Sequence, residues 1–195
     1  MSREIVFDIE TIGDIKNLST MKITVVSVYE YETDTYRSFE EHELKELWPI
    51  FEKAERIIGY NSEHFDVPIL NRYYAGDLTI IPHLDLLKMI RESCGKRFKL
   101  DDVAKATLQI QKSADGLAAM EWFKNGEVQK VKDYCEQDVK VTKELYDYGK
   151  KNSMIYYPTI TGDILPIAVN FASQPLFNKN TEVDGAGGFN LTLPL

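Results

Sequence analysis

Nine residues near the start of the chain restrict its fold more than any other stretch: Arg3-Glu4-Ile5-Val6-Phe7-Asp8-Ile9-Glu10-Thr11. Ile5, Val6 and Phe7 form an apolar run with the pattern of a buried strand. Alternate residues of a strand share one face, so Asp8 and Glu10 would project together from the end of a core strand. Two carboxylates side by side repel each other unless a cation lies between them, and a divalent metal is the simplest one. Alone, the pair also fits a solvated strand end. Further ligands must come from elsewhere in the chain.

The rest of the chain supplies a setting for that strand. Lys22 to Tyr31 and Thr35 to Phe39 are rich in β-formers and are separated by the turn Glu32-Thr33-Asp34, which predicts a hairpin. With the opening strand this makes three antiparallel strands. Glu40 to Ala54 carries Leu44, Leu47, Trp48 and Phe51 at helical spacing. Arg56 to Tyr60 reads as a short apolar strand, followed by Asn61 and Ser62 as candidate caps. The helix expected next spans 63–74, with Pro68 in its interior and Gly76 as a stop. A brief extended segment at Thr79–Ile81 and helices over 84–93, 100–108, 114–123 and 127–150 complete the pattern. The order indicates an α/β domain with a mixed sheet.

Beyond Lys151 the composition changes. Residues 153–157 fit a strand, and Pro158, Pro166, Pro175, Gly185, Gly187 and Gly188 then punctuate a helix-poor stretch. Residues 1–151 are therefore read as the domain and 152–195 as an extension, with 158–195 an extended tail or docking arm and 184–188 a flexible turn.

A chain of 195 residues can bury a sizeable core without disulfides. Its two cysteines, Cys94 and Cys135, form no CxxC pair, which fits a reducing compartment. No apolar run reaches the length of a membrane span, and the chain reads as cytoplasmic. The net charge of −8 argues against nucleic acid as a partner. Two divalent cations would offset half of it. The charge is also uneven: Lys88, Arg91, Lys96, Arg97 and Lys99 face only Glu92 within 88–99.

Two further acidic positions stand out. Asp66 follows a core strand near a helix start, where an Asp often serves as a cap. Asp138 lies four residues after Tyr134, so the two stack about one turn apart on one helix face. Val131, Val141 and Leu145 continue that stripe, which turns Asp138 toward the core. An inward Asp is costly unless it binds a metal or accepts hydrogen bonds.

Phe7-Asp8-Ile9-Glu10-Thr11, then Gly59-Tyr60-Asn61 with Phe65-Asp66-Val67-Pro68, then Tyr134-Cys135-Glu136-Gln137-Asp138 occur in the order of the three exonuclease motifs of the DEDD superfamily. A Tyr four residues before the last Asp, with Asp133 where another subclass has His, resembles the tyrosine (DEDDy) subclass. The strings are most similar to the proofreading exonuclease domain of family-B DNA polymerases, over residues 3 to about 150. A chain this short has no room for a polymerase domain and reads as a free-standing exonuclease.

The resemblance implies a ribonuclease H-like α/β fold with a central mixed five-stranded sheet, its first three strands antiparallel, flanked by helices. It implies 3′→5′ hydrolysis of phosphodiester bonds with two divalent cations, Mg²⁺ or Mn²⁺. Asp8, Glu10, Asp66 and Asp138 would be the metal ligands, with Asp8 bridging, and Tyr134 would orient the attacking water. Thr11, Ile12, Asn61 and Phe65 would meet the terminal nucleotide. Expected partners are the 3′ ends of single-stranded nucleic acid, DNA ahead of RNA, no membrane, and a protein docking on the tail. An exoribonuclease trimming RNA 3′ ends, or a non-catalytic adaptor with the same fold, are the alternatives.

Overall fold

The computed structural model describes residues 2–110 and 116–172. Its centre is a five-stranded sheet built from β1 (Glu4–Ile12), β2 (Lys22–Glu30), β3 (Thr35–Glu40), β4 (Arg56–Gly59) and β5 (His83–Asp85). The strand order is β3-β2-β1-β4-β5. β1, β2 and β3 pair antiparallel, while β4 and β5 run parallel to β1. β1 is thus the middle strand, as its apolar run predicts.

The helices are α1 (Leu44–Lys53), α2 (Asp66–Leu70), α3 (Leu86–Cys94), α4 (Leu100–Leu108), α5 (Gly116–Lys124) and α6 (Val128–Asn152). The period of β1 sorts its side chains between two layers. Ile5, Phe7 and Ile9 enter a core with Leu47 and Phe51 of α1 and Val67, Ile69 and Leu70 of α2. Val6 enters the opposite core with Ile90 of α3, Val103 of α4 and Val139, Leu145 and Tyr146 of α6. Glu4, Asp8 and Glu10 share the face of Val6 and therefore meet α6.

Three expectations about local structure change. The helix expected over 63–74 shortens to the five residues of α2, because Asn61 takes a left-handed backbone (φ 63°) and the chain turns before Asp66. Pro68 then falls in the first turn, where its missing N–H costs nothing. Thr79–Ile81 is not extended: Leu78–Ile80 form a 3-10 turn. The Asp77 carboxylate accepts the Thr79 N–H (2.9 Å) and hydroxyl (2.7 Å), and this local competition overrides β-propensity. The strand begins after Pro82 instead.

The stretch beyond Lys151 is helix-poor, as expected, and the strand expected over 153–157 is present at Met154–Pro158. Strands β6 (Met154–Pro158) and β7 (Ile164–Ala168) form an antiparallel hairpin. Ile155, Ile167, Val169 and Phe171 bury their side chains in the α3/α4/α6 core. Gly149 of α6 makes room for this: a Cβ there would lie 2.3 Å from a ring carbon of Phe171. The expected turn at 184–188 lies outside the described residues.

Candidate active site

The site forms where the C-terminal part of β1 crosses α6. Asp8 pairs with Ser27 of β2, and the ladder shifts register between Glu10 and Thr11. Such a bulge re-aims the side chains beside it. The Thr24 hydroxyl donates to the Glu10 carbonyl at 2.9 Å and pins this irregular turn of backbone. On α6, Cys135 is buried against the strand, its Sγ donating to the Asp8 carbonyl at 3.4 Å and facing Asp8 Oδ2 at 3.7 Å. Asp138, less than a turn further along, reaches the same place. One carboxylate oxygen from each of Asp8, Glu10 and Asp138 lies within 4.8 Å of the others.

Asp66 stands at the first turn of α2 and is only 4% exposed. It lies outside that trio but faces it from the parallel side of β1, accepting a hydrogen bond from the Ile9 N–H. Burial, then the charges of Asp66, Asp138 and Glu10, push the Asp8 carboxyl well above the usual carboxylate range. Burial likewise raises Asp66, against the Ile9 N–H and with Asp85 adding to the rise. Four acids crowd one region, and the net effect on both Asp8 and Asp66 disfavours negative charge. The oxygen-only donor set and this crowding fit hard divalent cations such as Mg²⁺ or Mn²⁺.

Tyr134 is buried, its ring meeting Trp122 of α5 edge-on at 6.2 Å. Burial, then Asp138 and Glu10, raise the phenol beyond its already high reference value. It keeps its proton at neutral pH and is a donor, not a base. Tyr134 and Asp138 open into a cavity of about 660 Å³ whose far wall carries Tyr60, Asn61, Arg97 and Phe98.

Of the four candidate substrate contacts, only Asn61 lines this cavity. Thr11 is buried, and Ile12 and Phe65 are half-buried, with Phe65 packed against the α1/α2 core. Asn61 is held in place by a residue outside the three motifs. Asp85, 4% exposed, accepts N–H groups from Asn61 (2.8 Å), Glu63 (3.1 Å), Leu87 (3.0 Å) and Lys88 (3.2 Å). It caps α3 and fixes the turn before Asp66 at once. An Asp immediately before an apolar helical run was the available signal.

A family model described as the RNase_H superfamily matches residues 5–149. The chain belongs to the RNase_H superfamily. No curated protein matches it by sequence. Solved structures with a similar fold include the family B DNA polymerase from the archaeon Pyrobaculum calidifontis, at 18% identity and TM-score 0.61, over 76% of this chain and 24% of that one. Trypanosoma brucei RNase D is similar at 15% identity and TM-score 0.54, over 75% of this chain and 57% of that one. The same enzyme in complex with RNA U12 gives 16% identity and TM-score 0.51, over 75% and 55%. The chain thus spans from a quarter to somewhat over half of the length of these structures. The family match ends in the C-terminal part of α6, and the β6–β7 hairpin lies beyond it.

Proposed function

We propose that this protein is a metal-dependent 3′→5′ exonuclease of the DEDDy type, acting on single-stranded DNA ends in preference to RNA. The observation that carries this reading is the convergence of Asp8, Glu10 and Asp138 within 4.8 Å, with Asp66 beside them and Tyr134 one turn away on α6. Asp8, Glu10, Asp66 and Asp138 would hold two divalent cations, Mg²⁺ or Mn²⁺. When bound, such ions supply Lewis-acid polarisation of a phosphodiester and ease deprotonation of water. Tyr134 keeps its proton, which its hydrogen bond with Asp138 now engages; with Asp138 holding a cation, that hydroxyl would turn to the attacking water. Asn61, fixed by Asp85, stands on the cavity wall to meet the terminal nucleotide, while Thr11, Ile12 and Phe65 shape the end of β1 and the α2 turn behind it.

The proposed exonuclease domain covers 1–151, with 152–195 as its extension. A protein partner on the tail would use residues outside those described. Among the described residues no helix is long and apolar enough to cross a membrane.

The test is digestion of 5′-labelled single strands. Stepwise shortening from the 3′ end in Mg²⁺ or Mn²⁺, halted by chelator, is the expected result. An unlabelled RNA of the same sequence should compete less well than DNA. Equal digestion by an Asp8→Ala protein would sink the assignment.

A further inference from the structure

The segment linking α3 to α4, residues 95–99, forms a basic strap along the cavity next to Tyr134 and Asp138. Arg97, Phe98 and Lys99 line that cavity. A second cavity of about 270 Å³ shares Asn61, Leu87 and Arg97 with it and continues to Lys88 and Arg91. The two form one continuous path from the carboxylates to the outer face of α3.

The lining carries both signs, with Lys88, Arg91, Arg97 and Lys99 among residues that include Glu63, Asp85, Asp101 and Asp138. Lys88 is paired with Glu63 at 2.7 Å. Arg91, Arg97 and Lys99 line the path and Lys96 lies beside it on the strap; all four are exposed and form no ion pair among the described residues. Of the acids on these walls, Asp85 is occupied by four N–H donors and Glu63 by Lys88, while Asp101 and Asp138 stand on the wall of the larger cavity. Three exposed cations on the strap and a fourth, Arg91, on the adjoining α3 form a local basic cluster in a chain of net charge −8.

The strap is also held rigid. Tyr60 donates to the Phe98 carbonyl at 2.8 Å, and Arg97 donates to Asn61 Oδ1 at 2.9 Å. The Phe98 ring lies 4.5 Å from Tyr157 of the hairpin, and Lys96 Nζ sits 5.9 Å above that same tyrosine. The hairpin, outside the family match, therefore braces the strap from behind. Ordered cations interleaved with an aromatic ring suit a chain of phosphates carrying stackable bases.

We propose that Arg91, Lys96, Arg97 and Lys99 form an anion site for the backbone phosphates of a single strand, upstream of the nucleotide at the carboxylates. It rests on the exonuclease reading for the position of the strand's 3′ end. The site grips length, and leaves chemistry at the end to the carboxylates.

The experiment uses the full chain without metal, in chelator, and follows the anisotropy of fluorescein-labelled single strands of about 3 and about 12 nucleotides. A triple variant, Arg91→Gln, Lys96→Gln and Lys99→Gln, should bind the longer strand about 10-fold or more weakly and flatten the log–log salt dependence by about 2, since each phosphate contact contributes roughly 0.7. Binding of the short strand should move less than about 2-fold, and with Mg²⁺ the triple variant should raise KM on the long strand at unchanged kcat. A charge-keeping variant (Arg91→Lys, Lys96→Arg, Lys99→Arg) should behave as the parent. Unchanged affinity and slope in the neutralised variant would overturn the site, as would a parent slope shallower than about 2. Displacement of the strand by polyglutamate as efficiently as by nucleic acid would also overturn it. If the parent binds long strands with the expected slope but digests none, the exonuclease reading fails and the anion site stands.

Discussion

At the start of β1, Glu4 is almost wholly buried and surrounded by donors. The Arg56 guanidinium binds Glu4 Oε1 through Nε (2.9 Å) and Nη2, Tyr146 donates to it at 2.8 Å, and Lys150 reaches Oε2 at 3.1 Å. Four residues along, Asp8 lies on the same face of the same strand, against the same helix. Burial would raise Glu4, but Arg56, Tyr146 and Lys150 hold it below its ordinary value. Burial and three further carboxylates push Asp8 the other way. The chain supplies its own cations where an acid serves the fold. At the other end it gathers acids, and on the proposed function the compensating charge comes from solution. The first end also secures the hairpin, since Arg56 Nη1 donates to the Phe171 carbonyl at 3.1 Å.

Mutations at the two ends should therefore have opposite signatures. The largest effect is on the proposed activity: Asp8→Asn or Asp138→Asn should lower the rate of 3′-end digestion by roughly 10³-fold or more, through loss of a proposed metal ligand. Metal-free melting of either variant should be unchanged or higher, because a like charge has been removed. Next comes stability. Glu4→Ala should cost about 3–5 kcal/mol in urea unfolding, since Arg56 is left buried with its charge unmatched. A Glu4→Ala protein as stable as the parent would erase the contrast between the two ends.

How far this contrast could be read in advance differs along the chain. Asp8 and Glu10 were legible because a period of two leaves one arrangement for them, and Tyr134 and Asp138 because the apolar stripe of α6 sets their direction. Their meeting is a tertiary fact, foreshadowed only by the likeness of three motifs to known exonucleases. Asp66 was placed by a five-residue helix and a left-handed Asn61, neither of which hydrophobic period reveals. The strand at His83–Asp85 was misplaced because Asp77 draws Thr79 into a turn. The hairpin after Ser153 was obscured by its prolines, since what docks it is distant in sequence: the gap at Gly149 and the guanidinium of Arg56.

Smaller effects sharpen the same contrast. Gly149→Ala places a methyl group against the Phe171 ring and should cost about 1–3 kcal/mol by overpacking, read as a lower urea midpoint, with the digestion rate at saturating substrate little changed. The pH dependence should show both ends at once. Asp8 and Asp66 have raised folded-state values, so the native protein binds more protons than the unfolded chain between the ordinary carboxylate range and those values. Metal-free stability should rise as pH falls from neutral through that window. Glu4 is lowered, so its contribution is complete above its unfolded value and is lost as pH falls through its folded one. Melting temperature in chelator should thus peak in mild acid and then drop, and Mg²⁺ should remove the initial rise. A metal-free profile that climbs steadily from acid to neutral pH would contradict this.

The most direct measurement is calorimetric titration of Mn²⁺ into the parent, Asp138→Asn and Glu4→Gln proteins at neutral pH. The expected result is two ions bound by the parent, fewer and weaker in Asp138→Asn, and two again in whatever fraction of Glu4→Gln is folded. A parent that takes up no more Mn²⁺ than Asp138→Asn would contradict the view that the acid-rich end of β1 draws its cations from solution.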